Sequence, residues 1–140
     1  MLALDLGAST GGFTQVLLER GARSVIALDV GHGQLAPELR ADPRVVVVEG
    51  ENARELDAPR LAAVSGITTR PDLVVGDLSF ISLRLILPAI VATVGTEVPL
   101  VLLIKPQFEA GRQGVREGIV RDAAVREDAI MAVLWAAGDL

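Results

Sequence analysis

Leu2-Ala3-Leu4-Asp5-Leu6-Gly7-Ala8-Ser9-Thr10-Gly11-Gly12 is the stretch on which the reading of the fold turns. Leu2 to Leu6 is an apolar run broken only by Asp5, the composition of a central parallel strand covered on both faces. Gly7, Gly11 and Gly12 then permit backbone angles closed to other residues and let a ligand approach the main chain. Phe13 to Arg20 reads as a helix whose first amide groups point back at that turn. Such a terminus suits a negatively charged or electron-rich group.

The glycine spacing separates two kinds of cofactor site. A dinucleotide fingerprint needs G-x-G-x-x-G, with its second glycine making room for pyrophosphate; here Ser9 holds that place and the pattern is D-x-G-x-x-x-G-G. A P-loop would end in Gly-Lys-Ser/Thr, whereas Gly12 is followed by Phe13 and Thr14. Asp5 would repel a phosphate and suit a cationic amino-acid moiety. The combination resembles the first motif of S-adenosylmethionine-dependent methyltransferases. It implies Gly7, Ser9, Gly11, Gly12 and Phe13 around the methionine moiety, with Asp5 and Thr10 of the same turn also binding the cofactor. The competing reading is an ordinary strand-to-helix turn; the acid, the glycines and the following helix together outweigh it.

The remainder of the chain repeats the strand-then-helix pattern. Gly21 is placed as a helix C-cap, and Val25 to Leu28 is a second strand closing on Asp29. A carboxylate there accepts two hydrogen bonds from a vicinal diol, which makes Asp29 the ribose candidate. His32, in the following loop, is expected to face water. Leu35 to Arg40 is a short helix, and Arg44 to Glu49, with four consecutive valines, a third buried strand. Asn52, just beyond it, is a candidate for the adenine edge or a plain turn residue. Leu56 to Val64 is a weak helix, and Asp72 to Asp77 a fourth strand ending on an acid. Leu83 to Val94 has the spacing of a covering helix, with Pro88 implying a kink or a later start. Leu100 to Ile104 is a fifth strand leading to Lys105. A polar loop from Ala110 to Gly118, with Arg112 and Arg116, precedes an amphipathic helix from Arg121 to Ala137, whose expected core residues are Val125, Ile130, Val133 and Leu134. Alternating strands and helices predict an α/β fold with a doubly wound, mainly parallel sheet. Ligands in such sheets bind beyond the carboxyl ends of strands, where Asp5, Asp29, Asp77 and Lys105 all fall.

Composition narrows the chemistry. At 140 residues, about half of them hydrophobic, the chain is one globular domain. No apolar run reaches the roughly 20 residues of a bilayer span, and no basic segment of a signal peptide opens the chain; a soluble cytoplasmic protein is the expectation. Zero cysteines and a single histidine exclude disulfides, thiolate sites and multi-histidine metal sites. No metal is expected. A net charge of −5 argues against strong unaided binding to nucleic acid, which rests on neutralising phosphates.

The thirteen basic residues are twelve arginines and one lysine, Lys105. It follows an apolar strand, beside the strand that ends on Asp77, and is suited to draw a proton from an attacking hydroxyl or to stabilise its oxyanion. Methylation at pyrimidine C5 usually needs a cysteine nucleophile, which is absent. Transfer to an exocyclic amine usually uses an Asn/Asp-Pro-Pro-aromatic motif, where this chain has Asp77-Leu78-Ser79-Phe80. A hydroxyl is therefore the best-supported acceptor and an amine the second, with a simple Lys105–Asp77 salt bridge as the competing structural reading.

Four segments carry a resemblance that spans nearly the whole chain: Asp5 to Thr14, Ala27 to Leu35, Gly76-Asp-Leu-Ser-Phe-Ile-Ser-Leu83 and Leu103-Ile-Lys-Pro-Gln-Phe-Glu109. In order, they resemble the motifs of the TlyA (hemolysin A) family, ribosomal RNA 2′-O-methyltransferases with an FtsJ-like catalytic domain. The resemblance implies a Rossmann-like fold, S-adenosyl-L-methionine as cofactor and ribosomal RNA as partner. It implies Asp77 and Lys105 as two of a Lys-Asp-Lys-Glu catalytic set, with Lys105 the central base and Asp77 also beside the cofactor. The family's first Lys precedes the glycine strand and its final Glu lies beyond the fifth strand and helix, so neither position is assigned here. An N-terminal S4-type RNA-binding domain is likewise outside the sequence. The expectation is a partial catalytic core, residues 1–140, with an incomplete sheet whose edge would invite self-association. A cofactor-binding fragment without activity and a small-molecule O-methyltransferase are the alternatives. No spanning segment or basic amphipathic helix supports a membrane-active protein.

Overall fold

The structure is a computed structural model and describes residues 1–110 and 123–138. Strands β1 (Leu2–Leu6), β2 (Ser24–Asp29), β3 (Val45–Glu49), β4 (Leu73–Gly76) and β5 (Leu100–Leu102) form one parallel sheet in the order β3-β2-β1-β4-β5. Helices α1 (Gly12–Glu19), α2 (Pro37–Arg40), α3 (Ala58–Ser65), α4 (Leu83–Val94), α5 (Pro106–Glu109) and α6 (Ala123–Gly138) alternate with them, and a 3₁₀ turn spans Ala53–Glu55. The order reverses about β1, the most central strand.

Strand alternation sorts the core into two layers. Leu2, Leu4 and Leu6 of β1, Ile26 and Leu28 of β2 and Val74 of β4 pack with Leu61 of α3 and Ile86, Leu87 and Ile90 of α4. Ala3, Val25, Ala27 and Val75 face the other way, towards Leu17 and Leu18 of α1 and Leu39 of α2. Both faces of the sheet are therefore covered, which is why its strands read as near-continuous apolar runs.

Several expectations shift. Helix α4 runs unbroken through Pro88 and begins at Leu83, so the later start is not adopted. Its first turn is held by the Ser82 cap, whose hydroxyl accepts from the Arg84 N–H at 3.1 Å. Strand β5 ends at Leu102, short of Ile104, and lies at the sheet edge with Leu100 and Val101 exposed. In α6, Val133 is buried and Val125 and Ile130 half-buried, but Leu134 is 51% exposed and Ala129 takes the interior place. The helix carries apolar residues on more than one face, Met131 and Trp135 also being exposed, so spacing alone did not select the buried stripe. The polar loop with Arg112 and Arg116 lies, from residue 111 onward, outside the described residues.

Candidate functional site

In an open α/β sheet the ligand crevice opens at the carboxyl ends of strands where their order reverses. Here that place lies between β1 and β4, and a cavity of about 450 Å³ occupies it. Its wall takes in Gly7, Ser9, Asp29, Asn52 and Asp77 among the sequence-derived candidates, with Leu28, Ile81 and Ile86 supplying an apolar side. Asp5, Thr10, Gly11, Gly12, Phe13 and Lys105 are not on that wall.

Asp29 organises one side. Its Oδ2 accepts the backbone N–H of Ser9 at 2.7 Å and its Oδ1 that of Gly31 at 2.8 Å. The carboxylate thus pins the glycine turn to the loop after β2 while keeping lone pairs for further donors. Ser9 sits at φ 52, a left-handed conformation uncommon for a non-glycine residue. Asn52 caps the 3₁₀ turn by accepting from Arg54 N–H at 3.0 Å, so its side-chain carbonyl is occupied locally and its amide N–H₂ is the group left for a ligand. Behind it, Arg60 grips Glu51 through two bonds of 2.9 and 2.8 Å. The Arg60 guanidinium holds the Glu51 carboxyl below the ordinary range, which keeps an anion on the cavity wall.

The turn itself divides its residues by role. Gly7, at φ +74, stands where a Cβ would lie 2.7 Å from the Asp77 carbonyl oxygen, so the turn and the end of β4 touch through backbone. Gly11, at φ +101, would drive a Cβ into Leu39 and Leu35, and caps α1. Gly12 has open space where its Cβ would be. The Thr10 carbonyl accepts from Ala36 N–H at 3.0 Å, and Phe13 packs with the α1-side core. Asp5 lies beneath the turn, 1% exposed, with Oδ2 accepting the Thr14 hydroxyl at 2.7 Å. Alternation sends it to the α1 face along with Ala3, and not to the lip of the crevice. Among the described residues its Oδ1 has no hydrogen-bond partner. Burial pushes the carboxyl up to about 6, against the lowering effect of the Thr14 bonds and with help from the charges of Asp77 and Asp29.

On the opposite lip, Lys105 Nζ forms an ion pair with Asp77 Oδ1 and donates to Ser79 Oγ at 3.0 Å. The ammonium also lies 5.8 Å from the centre of the Phe108 ring, within reach of a cation–π attraction. Phe108 in turn meets Phe80 at 5.1 Å between ring centres, tilted by 48°. Phe80 is 90% exposed, lines the cavity and sits at φ 64. Ser9 and Phe80 are the non-glycine residues at positive φ among those described, and both lie on the cavity wall, where strained conformations tend to gather. Sequence reasoning noted the Asp-Leu-Ser-Phe segment without giving Ser79 or Phe80 a role. The signal was an aromatic residue one turn past a strand-end acid, in a loop.

The cavity fits a nucleoside-bearing cofactor of ordinary size, since small-molecule sites run from about 300 to 1,000 Å³. It combines a glycine cradle, a strand-end carboxylate and an apolar side. A parallel sheet wound on both faces, with these groups at its reversal point, defines a Rossmann-like α/β domain of the methyltransferase kind.

The sequence matches the FtsJ-like methyltransferase family over residues 1–139, and the chain belongs to that family. It is 53% identical over 138 residues to 16S/23S rRNA (cytidine-2′-O)-methyltransferase TlyA of Mycobacterium tuberculosis, covering 98% of this chain and 49% of that protein. Hemolysin A of Brachyspira hyodysenteriae is 46% identical over 127 residues, covering 90% of this chain and 51% of its own length. The crystal structure of a proposed hemolysin from Lactococcus lactis superposes with a TM-score of 0.92 at 46% identity, covering 99% of this chain and 64% of that one. The resemblance to the TlyA family drawn from the four motifs agrees with these matches. The chain spans about half the length of the curated relatives it matches. Among the described residues, no helix is long and apolar enough to cross a membrane.

Proposed function

We propose that this chain is the catalytic core of an enzyme that methylates a ribose 2′-hydroxyl of ribosomal RNA. The observation that carries the reading is the Lys105–Asp77 pair on the lip of the β1–β4 cavity, opposite Asp29. Relatives named as rRNA (cytidine-2′-O)-methyltransferases support the same acceptor. Gly7 and Ser9 hold the cofactor's amino-acid end, Asp29 its ribose hydroxyls and the Asn52 amide its adenine. Asp77 stands between cofactor and acceptor. Asp5, Thr10, Gly11, Gly12 and Phe13 shape the turn from below. S-adenosyl-L-methionine, when bound, supplies the electrophilic methyl group.

The chain's own residues have two tasks: to align the acceptor oxygen and to lower the cost of its proton loss. Lys105 Nζ, aimed by Asp77 and Ser79, meets the hydroxyl: as the neutral amine, after giving its own proton to solvent, it takes up the hydroxyl proton, and as the ammonium it balances the charge left on oxygen while that proton leaves to water. Phe80 offers an exposed ring beside that point, a face on which an unstacked base can lie. The chain's net charge of −5 provides little attraction for phosphates, so an S4-type RNA-binding domain joined to this core would serve as the anchor.

The test is methyl transfer from labelled S-adenosylmethionine to ribosomal subunits, followed by nuclease and alkaline digestion. Label retained in alkali-resistant dinucleotides supports ribose methylation. Label on small molecules without RNA would replace this reading with small-molecule O-methylation, and calorimetric binding without any transfer would leave a cofactor-binding module.

A further inference from the structure

Beyond Gly76 and Leu102, where the β4–β5 ladder ends, the segments bearing Asp77 and Lys105 run into separate turns. One last backbone bond, from Leu103 N–H to the Gly76 carbonyl at 2.9 Å, joins them near the sheet. Farther out, besides the Lys105 and Phe108 contacts, a buried tie is the carboxylate of Glu109, whose side chain is 1% exposed. Its Oε1 accepts the Leu83 N–H at 2.6 Å, while Oε2 accepts the Ser82 hydroxyl and faces Arg84 Nε at 3.5 Å. Arg84 also reaches back through Nη2 to the Glu109 carbonyl at 3.3 Å. A buried anion from α5 therefore sits on the positive end of α4, one helical turn along the chain from Lys105.

We propose that Glu109 is a positioning residue for Lys105, holding the turn that presents the ammonium to Asp77 and Ser79. For its catalytic consequence this rests on the function proposed above. The physical case is a ranking of ties. Asp77 is 44% exposed and Lys105 22%, so their pair is partly solvated and contributes modestly by itself. A long lysine stem also loses considerable rotamer freedom when held in one place. Glu109 is desolvated and charge-assisted on both oxygens, the arrangement that is costly to break. Phe108, adjacent to Glu109, lies under the ammonium and against Phe80, so a shift of α5 displaces the ring contact and the amine together. The buried clamp sets the place of α5, and the partly solvated pair follows it.

Lys105 is the chain's single lysine, so acylation of Nζ by an amine-reactive ester is read by peptide mass spectrometry apart from the N-terminal amine, with no cofactor or RNA present. Glu109→Ala is expected to speed labelling of Lys105 by roughly fivefold, the factor that corresponds to one net hydrogen bond. Glu109→Gln, which keeps the acceptor for Leu83, gives a smaller increase. Leu18→Ala, a cavity variant in α1 on the opposite face of the sheet from α4, is the control for general loosening and labels at the parent rate. If Glu109→Ala fails to fold, Glu109→Asp, shorter by one methylene, must also speed labelling. A parent rate in the folded Glu109 variants, or an equal increase in Leu18→Ala, overturns the proposal. In methyl transfer, adding Glu109→Ala to Lys105→Ala costs nothing further if Glu109 acts through the lysine; a full second loss overturns that link. Undiminished turnover of Lys105→Ala alone would defeat the catalytic reading and leave the labelling result standing.

Discussion

The hydroxyl of Thr14 donates to Oδ2 of Asp5 at 2.7 Å in the interior beneath the glycine turn, and among the described residues it is the single side-chain bond that carboxylate receives. Burial dominates and lifts the carboxyl to about 6. The folded chain therefore holds a proton that the unfolded chain has released between about pH 4 and 6, and stability falls as pH rises through that window. Asp5→Asn removes this dependence. It is expected to raise unfolding free energy at pH 8 by up to about 3 kcal/mol, with the gain shrinking towards pH 4. Urea unfolding at pH 5, 6.5 and 8 checks it; a gain that did not vary with pH would show that ionisation of Asp5 is not its cause.

Gly7 and Gly12 of the turn separate on substitution. Gly7→Ala places a methyl 2.7 Å from a backbone oxygen and keeps a positive φ, so it should cost about 2 kcal/mol or more and weaken cofactor binding with it. Gly12→Ala meets nothing within 4 Å at the start of α1 and should be neutral or stabilise by about 0.5–1 kcal/mol. Thermal unfolding of the two variants side by side measures the contrast. Equal losses would mean that the turn is not seated on the Asp77 carbonyl as described.

The sheet was legible because buried parallel strands are apolar on both faces: Leu2–Leu6 and Val45–Glu49 stand out from sequence alone. The crevice was legible too, since Asp29 and Asp77 fall at strand ends by counting. Direction was harder. Asp5 precedes the strand's last residue, and period-2 alternation turns it under α1, which a reading of strand ends overlooks. Long-range ties left no local mark at all: Glu109 meets Ser82 across 27 positions and Lys105 meets Ser79 across 26. Neither partner is implied by helix or strand spacing. Leu134 and Ala129 in α6 exchanged expected places for a different reason, because apolar residues on several faces of one helix leave the buried stripe to its neighbours.

Asp29 provides a test of the cofactor site. Its two oxygens already secure Ser9 and Gly31, so its loss should damage the shape of the turn as well as remove the acceptor proposed for the ribose hydroxyls. Asp29→Ala is expected to weaken S-adenosylmethionine binding by ~10- to 100-fold, the range for one or two charge-assisted hydrogen bonds. Asp29→Asn keeps one acceptor and should fall between the two. Calorimetry on the isolated chain decides the matter, and unchanged affinity in Asp29→Ala would remove the residue from the site.

Lys105 tests the chemical step separately, because it lies off the cavity wall and beside the position proposed for the acceptor. Lys105→Ala should lower kcat by ~10²- to 10⁴-fold, the usual worth of a positioned acid or base, with cofactor affinity little changed. Lys105→Arg keeps the charge and can still reach Asp77 and Ser79, but a guanidinium does not lose its proton near neutral pH and so cannot take one up. If Lys105 acts as the base, the arginine variant stays as slow as the alanine one. Recovery of most of the rate by arginine would instead make positive charge the working property, with the proton leaving to solvent. Single-turnover assays that begin from the preformed cofactor complex separate these outcomes, since they exclude any difference in binding.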